Sequence, residues 1–348
     1  MPRDLLERRL ARLLDKAAAH PLTGTVRFAA RRPATDWRWQ YDDGGPFFVA
    51  SITKTYTAAI VLQLVDEGAL RLEDRLVDHL DPALTDGLHV LDGVDRTSAI
   101  TLGHLLTQTS GLPDHWADAR DDGTSLWDEV RQRDTGWTLV DTVAIARDRQ
   151  VPLFPPGAPG KAHYSDTNFD LLGGVVAAVT GQTYAESVAR RIARRAGLEG
   201  TYVFGPEHLE RFADVDAIYD RGRPLDVPCA LAACQASGGI VSTSSDSLRF
   251  LEAFMSGELF DAAHLRRIMS DWRRVFGPFR YGGGVMRLAL PRMLSKVPPL
   301  VGHAGSTGTA LFRCEDLDLD LSLAVNQTTK PAFAARLLMR LADEIRRG

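Results

Sequence analysis

The sequence predicts an α+β fold, with an antiparallel sheet built from the two chain ends and a mostly helical insert between them. Strand-like segments occur near both ends of the 348-residue chain, and amphipathic helices begin and end it. Residues from about 72 to 230 show mainly helical patterns and long loops punctuated by prolines. We therefore expect a discontinuous sheet domain, residues 1–75 and 235–348, and a mostly helical domain, residues 76–234.

The first helix is predicted in residues 1–20, where apolar residues mark one face at helical spacing: Leu6, Leu10, Leu13, Leu14 and Ala17. Residues 24–30 and 36–50 are rich in aromatic and apolar residues and are predicted as strands joined by a turn. Residues 51–67 then have a helical pattern. Gly68 is a typical residue just beyond the end of a helix.

The C-terminal part returns to strands after a predicted helix at residues 247–257. Three strand-like segments follow, "YGGGVMRLAL", "LVGHAGSTGTALFRC" and "LDLSLAVNQ". A helix at residues 331–347 closes the chain. The terminal helices are expected to cover the sheet.

Composition excludes several classes of protein. The 41 basic and 45 acidic residues give a net charge of −4, so no general attraction to nucleic acid or anionic membranes is expected. Three cysteines without a CxxC pair indicate neither a disulfide framework nor a zinc site. No apolar run is long enough for a bilayer span, and the charged N-terminus is unlike a signal peptide, so we expect a cytoplasmic protein.

Ser51 and Lys54 lie three residues apart in "SITK", at the start of a predicted helix, so their side chains share one face. A serine becomes a strong nucleophile only when a neighbour takes its proton, which a neutral lysine can do. An N-cap serine followed by a surface lysine is the alternative. Only five of the 41 basic residues are lysines, and arginine could not act as a base here.

Tyr164 and Asp166 lie in "HYSDTNFDLLGG", directly before an apolar helical pattern. A core tyrosine followed by a polar helix cap is one interpretation. In the other, Tyr164 is a phenol that shuttles a proton. Its pKa, ordinarily about 10, would then have to be lowered by an adjacent cation such as Lys54.

The stretch "GHAGSTG" at residues 302–308 contains His303, Ala304, Gly305 and Ser306. Its small residues would let a substrate lie close to an edge strand, where backbone N–H groups can stabilise an oxyanion. A bulge or hairpin turn with a structural histidine is the alternative.

Taken in order, S-x-x-K, Y-x-[ND] and H-x-G resemble the penicillin-recognising serine hydrolases. The branch is that of class C β-lactamases, D,D-carboxypeptidases, D-aminopeptidases and related esterases. Residues 100–115, 153–181 and 236–251 also agree with the usual wording of this family. The resemblance covers roughly residues 22–345. It implies a β-lactamase-like fold with the active site between the two predicted domains.

The resemblance also implies roles for individual residues. Ser51 would attack an acyl carbonyl and form an acyl-enzyme, while Lys54 and Tyr164 would move its proton. Which of the two is the base stays open. The backbone N–H groups of Ser51 and Ser306 would form an oxyanion hole. His303 stands where relatives often carry lysine and would help to polarise the Tyr164 hydroxyl. Neither a metal nor an organic cofactor is implied.

Two positions depart from the pattern of the family. Asp166 replaces an asparagine that donates to an acyl side-chain carbonyl, and an ionised aspartate only accepts. Its charge near Lys54 would favour the ammonium form. Ala304 lacks the hydroxyl of the threonine that often binds a substrate carboxylate there, although Ser306 or Thr307 could replace it.

These departures favour an esterase of small or medium acyl esters. An acyltransferase, a D-amino-acid amidase or peptidase, and a β-lactamase are alternatives on the same site, and an inactive binding scaffold is a further one. Arg280 and Arg287 are candidates for binding a carboxylate. Trp116, Trp272 and Tyr281 are candidates for pocket walls, with core packing favoured for each. The expected partner is a small acyl substrate, and the oligomeric state stays open.

Overall fold

The computed structural model describes residues 2–42 and 44–348 and confirms the predicted β-lactamase-like α+β fold. Its strands, in chain order, are β1 Arg27–Arg32, β2 Trp37–Gln40, β3 Phe47–Phe48, β4 Val90–Leu91, β5 Val94–Asp95, β6 Tyr202–Val203, β7 Tyr219–Asp220, β8 Arg223–Pro224, β9 Ile240–Ser242, β10 Arg273–Phe276, β11 Phe279–Tyr281, β12 Met286–Leu288, β13 Leu300–Gly305, β14 Thr309–Cys314 and β15 Leu319–Ala324.

Its helices, in chain order, are α1 Arg3–Ala18, α2 Thr53–Asp66, α3 Pro82–Thr85, α4 Leu102–Leu106, α5 Leu126–Val130, α6 Leu139–Ala144, α7 Asp166–Thr180, α8 Tyr184–Val188, α9 Arg194–Ala196, α10 Pro228–Ala233, α11 Gln235–Gly238, α12 Ser244–Ser256, α13 Ala262–Ile268 and α14 Ala332–Arg347. A short 3₁₀ turn, Ala50–Ile52, leads into α2.

The main sheet joins the two ends of the chain, as the sequence predicts. Its strand order is β10-β11-β12-β13-β14-β15-β1-β2, and every neighbouring pair is antiparallel. Strand β1 pairs with β15, so the N-terminal and C-terminal segments share one sheet. Asp320 of β15 is buried between Arg31 of β1 and Arg313 of β14, which hold its carboxylate across both neighbouring strands.

Helices cover this sheet and bury its centre. Strand β15 is buried along its whole length because α12 and α14 both pack against it. Helix α1 packs against α14, so the two terminal helices meet. Tyr56 of α2 and Phe250 of α12 stack with ring centroids 3.5 Å apart, which ties the central helices to this layer.

Three helices meet at the centre of the molecule. Helix α2 packs against α7, and the short helix α11 packs against both. All but the last two residues of α2 are buried, so this helix lies in the core and not on the surface. Gly68 has a φ of +71°, as expected for the glycine that follows a helix.

Other details differ from the sequence-based prediction. Strand β3 pairs with β9 in a small separate sheet with β6, because the chain leaves the main sheet before Ser51. The hairpin β10–β11, which extends the main sheet, was not predicted. The domain boundaries at residues 75/76 and 234/235 stay a prediction. Within the described ranges, no helix is both long and apolar enough to cross a bilayer.

Gly302 lies where β13 and β14 approach one another closely. A Cβ atom on Gly302 would lie 1.9 Å from the carbonyl oxygen of Leu311, a backbone atom that cannot move away alone. We expect Gly302→Ala to lower the free energy of unfolding by about 1–3 kcal/mol. Urea denaturation would measure it. Gly136→Ala is the control, since its added Cβ would lie 3.4 Å from the nearest atom, the carbonyl oxygen of Cys229. Equal stability of the two variants would contradict the prediction.

Candidate active site

Ser51 lies in a constrained turn between β3 and α2. The preceding residue, Ala50, has a φ of +50°, in the left-handed region that non-glycine residues rarely adopt. Val49 holds this turn from both sides: its N–H donates to the carbonyl of Ile240, and its carbonyl accepts from the Thr309 hydroxyl. The turn therefore presents Ser51 at a fixed position beside β13.

Lys54 is fully buried one helical turn after Ser51, and three groups from different elements surround its ammonium. Its Nζ lies 2.7 Å from Asp166 Oδ1, 2.7 Å from the Ser237 carbonyl oxygen and 3.2 Å from Ser51 Oγ. An ammonium has three donors, and three acceptors are within reach. In this arrangement, Lys54 donates to Ser51 and does not accept from it.

Asp166 is the first residue of α7, and its side chain is 16% exposed. The direct ion pair with Lys54 accords with the expected effect of this departure from asparagine. Its backbone N–H donates to Asp114 Oδ1, so a second carboxyl lies close by. An aspartate here can accept from Lys54 but offers no side-chain N–H to a substrate carbonyl.

Tyr164 corrects one sequence-based expectation. The pKa of its phenol is raised well above the ordinary value, first by burial and then by the Asp166 carboxylate, while the Ser51 hydroxyl lowers it by a smaller amount. The lowering that was expected from Lys54 does not occur, because Asp166 balances the charge of the lysine. The Tyr164 phenol is therefore neutral at ordinary pH. Its hydroxyl has no hydrogen-bond partner within the described residues.

His303 lies beside Tyr164, with ring centroids 6.2 Å apart, and is buried. Its Nδ1 is 2.8 Å from the Ala304 carbonyl oxygen, which only accepts, so Nδ1 carries the proton. Burial, followed by the charge of Lys54, lowers the pKa of His303 to about 3. The ring is therefore neutral, and its Nε2 is a free acceptor with no partner in the part of the chain that is described.

The end of β13 passes close to the Ser51 turn. A Cβ on Gly305 would lie 2.8 Å from the Val49 carbonyl oxygen, so only glycine allows this approach. Ser306 follows directly, and among the described residues its N–H has no backbone acceptor. Ala304, Gly305 and Ser306 all line a cavity that also contains Ser51. The structure therefore brings the three predicted motifs together around Ser51.

Two cavities meet at Ser51, Tyr164 and Ser306. The first, about 340 Å³, contains the indoles of Trp116 and Trp127, and we call it the indole cavity. The second, about 720 Å³, lies against the β10–β11 hairpin, and we call it the hairpin cavity. Apolar side chains form most of the walls of both.

The residues predicted as pocket walls lie in different parts of the structure. Trp116 packs against the hydrophobic cluster that contains Leu126 and Val130, and it also lines the indole cavity. Tyr281 is fully buried behind Tyr164, with ring centroids 5.7 Å apart, and Trp272 packs against the core. Arg280 and Arg287 pair across β11 and β12 and alternate with Met286 and Leu288, which line the hairpin cavity. These two arginines therefore face away from it.

Sequence reasoning missed three features of the site. Ser237 contributes a backbone carbonyl, which no side-chain motif reports, although it lies in a stretch that resembles the family. Asp114 follows Pro113 in "SGLPDH", another such stretch, and lines the indole cavity. Arg336 and Arg340 lie one turn apart on α14 and line the hairpin cavity, but on the sequence they are ordinary polar positions of an amphipathic helix.

Comparison with known proteins identifies the family. The family model described as Beta-lactamase matches residues 17–344, nearly the whole chain. The chain belongs to the beta-lactamase family. Its members are hydrolases with a catalytic serine, and this chain has the β-lactamase fold.

Curated relatives of this beta-lactamase family member have several names. It is 28% identical over 242 residues to the D-alanyl-D-alanine-carboxypeptidase/endopeptidase AmpH of Escherichia coli, covering 68% of this chain and 55% of that protein. It is 33% identical over 185 residues to esterase EstB of Burkholderia gladioli, covering 52% and 43%. The chain therefore spans about half the length of the curated relatives it matches.

Solved structures match over more of the chain. A D-stereospecific amidohydrolase from Streptomyces sp. is 27% identical, with a TM-score of 0.74, and the match covers 92% of this chain and 94% of that one. D-amino acid amidase from Ochrobactrum anthropi SV3 is 21% identical, with a TM-score of 0.80 and 98% of each chain covered. The latter likeness shows the fold alone.

Lys54→Arg tests the need for a compact ammonium at this buried position. A planar guanidinium cannot reproduce the contacts of a compact ammonium with Ser51, Ser237 and Asp166, and it cannot exchange a proton at ordinary pH. We expect kcat/KM for p-nitrophenyl butyrate to fall by about 10²–10⁴-fold, nearly as far as in Lys54→Ala. Thermal melting shows whether each variant is folded. If the Lys54→Arg variant retained most of the activity, Lys54 would act only through its charge.

Proposed function

We propose that this chain is a serine hydrolase, an esterase that cleaves small or medium acyl esters through an acyl-enzyme on Ser51. One observation carries the proposal: Ser51, Lys54 and Asp166 form a continuous line of short contacts where two largely apolar cavities meet. An apolar acyl group in one cavity and an apolar alcohol in the other would place the ester carbonyl at Ser51 Oγ.

The proton of Ser51 needs an acceptor, and the protonation states on this site favour Asp166. Tyr164 is a neutral phenol, and Lys54 is an ammonium that donates to Ser51 and Ser237 and forms an ion pair with Asp166, so neither has a free site for a proton. Asp166 Oδ1, at 2.7 Å from Nζ, can take one proton from Lys54 as Lys54 takes one from Ser51. The carboxylate would thus act through the lysine, as the last member of the relay.

Every proton that moves in the proposed reaction has a donor and an acceptor within the site. Ser51 Oγ bonds to the ester carbonyl carbon, and the N–H groups of Ser51 and Ser306 stabilise the oxyanion. The bond to the alcohol oxygen breaks, and that oxygen takes back the proton through Lys54. Water repeats the sequence on the acyl-enzyme and releases the acid. Tyr164 donates a hydrogen bond to the leaving oxygen, and His303 Nε2 accepts from Tyr164 when the phenol turns towards it.

Two observations support ester substrates over β-lactams and D-alanyl peptides. Asp166 is ion-paired and offers no donor to a substrate amide carbonyl, and an unpaired carbonyl acceptor costs about 1–3 kcal/mol. Ala304 has no hydroxyl for a substrate carboxylate. A peptidase is the second candidate, because Arg336 and Arg340 line the hairpin cavity and would suit a substrate that ends in a carboxylate.

Asp166→Asn tests the relay. Removing the carboxylate takes away the proton acceptor, so we expect kcat for p-nitrophenyl butyrate to fall by about 10²–10⁴-fold. It also removes a negative charge that raises the pKa of Tyr164, so that pKa falls and the alkaline limit of kcat/KM moves to lower pH. A pH profile of the variant measures both.

Glu199→Gln, which changes an exposed carboxyl lining neither cavity, is the control and should match the wild-type profile. An alkaline limit that did not move would contradict the electrostatic effect of Asp166 on Tyr164. An unchanged kcat in Asp166→Asn would exclude the relay.

A substrate panel tests the proposed activity. We expect kcat/KM for p-nitrophenyl butyrate to exceed the values for nitrocefin and a D-Ala-D-Ala tripeptide by at least about tenfold, since each of the latter two requires a donor that Asp166 does not supply. Mass spectrometry should show one acyl group on the wild type and none on Ser51→Ala. A β-lactam or peptide rate at or above the ester rate would favour those alternatives, and faster transfer to an added alcohol than to water would indicate an acyltransferase.

A further inference from the structure

The two cavities beside Ser51 are lined by ionisable groups of opposite type. Asp114 and Asp166 line the indole cavity, where the described residues contribute no lysine, arginine or histidine. Arg336 and Arg340 line the hairpin cavity, where the described lining includes no carboxylate. A substrate that spans both cavities therefore meets carboxyl groups on one side of Ser51 and guanidinium groups on the other.

Asp114 lines the indole cavity, and one of its carboxyl oxygens is left without a hydrogen bond among the described residues. The residue is 4% exposed, and its Oδ1 accepts the backbone N–H groups of Trp116 and Asp166. Its Oδ2 has no hydrogen-bond partner among the described residues, although it is not one of the fully enclosed unpaired atoms. A buried carboxyl with one oxygen left over needs a partner from elsewhere, since unpaired buried polar groups are costly.

We propose that the indole cavity binds an ammonium group of the substrate, held by Asp114 with the Trp116 and Trp127 indoles around it. A carboxylate supplies the counter-charge and a charge-assisted hydrogen bond. Indole faces attract cations and tolerate the apolar remainder of the substrate. The proposal rests on the proposed function and narrows its substrates to esters that carry an amine.

The charge distribution gives this preference a direction. Asp166 already has Lys54 as its partner, whereas no cation contacts the side chain of Asp114 among the described residues. Burial and the charge of Asp166 raise the pKa of Asp114 well above its usual range. An ammonium bound there lets Asp114 ionise with a partner in place, while Arg336 and Arg340 repel an ammonium from the hairpin cavity.

Inhibition of the wild-type enzyme tests the proposal without any substitution. With p-nitrophenyl butyrate as substrate, 2-phenylethylamine is expected to inhibit competitively with a Ki at least about tenfold below that of 2-phenylethanol, its neutral analogue. Since Asp114 must ionise to pair with the amine, the Ki of the amine should rise as pH falls, and that of the alcohol should stay level. Equal Ki values, or a pH-independent ratio, would overturn the proposal.

Other groups near Asp114 could also titrate. Asp166 and Asp118 raise the pKa of Asp114 by their charge, His163 pairs with Asp118, and Lys54 pairs with Asp166. Asp114→Asn isolates the contribution of Asp114, because asparagine Oδ1 still accepts the two backbone N–H groups. The ratio of the two Ki values should fall towards one in this variant and remain unchanged in Glu199→Gln. A ratio that persisted in Asp114→Asn would place the cation elsewhere and contradict the proposal.

Substrate pairs locate the amine. Comparing phenylalanine methyl ester with methyl 3-phenylpropanoate tests an amine on the acyl side of the ester. Comparing 2-aminoethyl 3-phenylpropanoate with propyl 3-phenylpropanoate tests an amine on the alcohol side. We expect one of the amine esters to have at least about tenfold higher kcat/KM than its partner, and a preference in neither pair would overturn the inference. Failure of the esterase proposal is separate: if no ester is cleaved, calorimetric titration with 2-phenylethylamine and 2-phenylethanol still decides whether the cavity prefers the cation.

Discussion

The buried ammonium of Lys54 is the constraint on which the rest of the site depends. A lysine without solvent contact is stable as a cation only if every donor finds an acceptor and its charge is balanced. Its acceptors come from the Ser51 turn, from α7 through Asp166 and from α11 through Ser237. These elements must therefore pack together before the ammonium can be buried. The packing of α2, α7 and α11 at the centre of the molecule meets this need.

The charge balance around Lys54 also determines the state of its neighbours. Because Asp166 neutralises the lysine, no net positive charge remains to lower the pKa of Tyr164, and burial keeps this phenol neutral. His303 is neutral for a related reason, since burial and the nearby cation both oppose a second positive charge. The protonation states in this site therefore differ from those of a site with asparagine in place of Asp166.

The main sheet positions Ser306, and the two cavities provide the walls around Ser51. Strand β13 brings Ser306 to the Ser51 turn, and its close approach depends on Gly305. The walls on either side of this strand come from separate parts of the chain. Helix α14 supplies arginines to one cavity, and the loop between α4 and α5 supplies Asp114 to the other. A common catalytic centre can therefore serve different substrates in relatives, because side chains remote from Ser51 determine which groups can bind.

The sequence by itself determined the family, the sheet of two chain ends and the ordered set around Ser51, Lys54 and Tyr164. The sheet follows from periodicity, while the family and the ordered set follow from the resemblance of three short motifs, and each of these is a local property of the chain. Tertiary structure alone decided the sign of the pKa shift at Tyr164, which depends on burial and on the distance between Lys54 and Asp166. It alone paired the Ser237 carbonyl with Lys54 and separated the charges of the two cavities. Such properties arise between residues far apart in sequence, so no local pattern contains them.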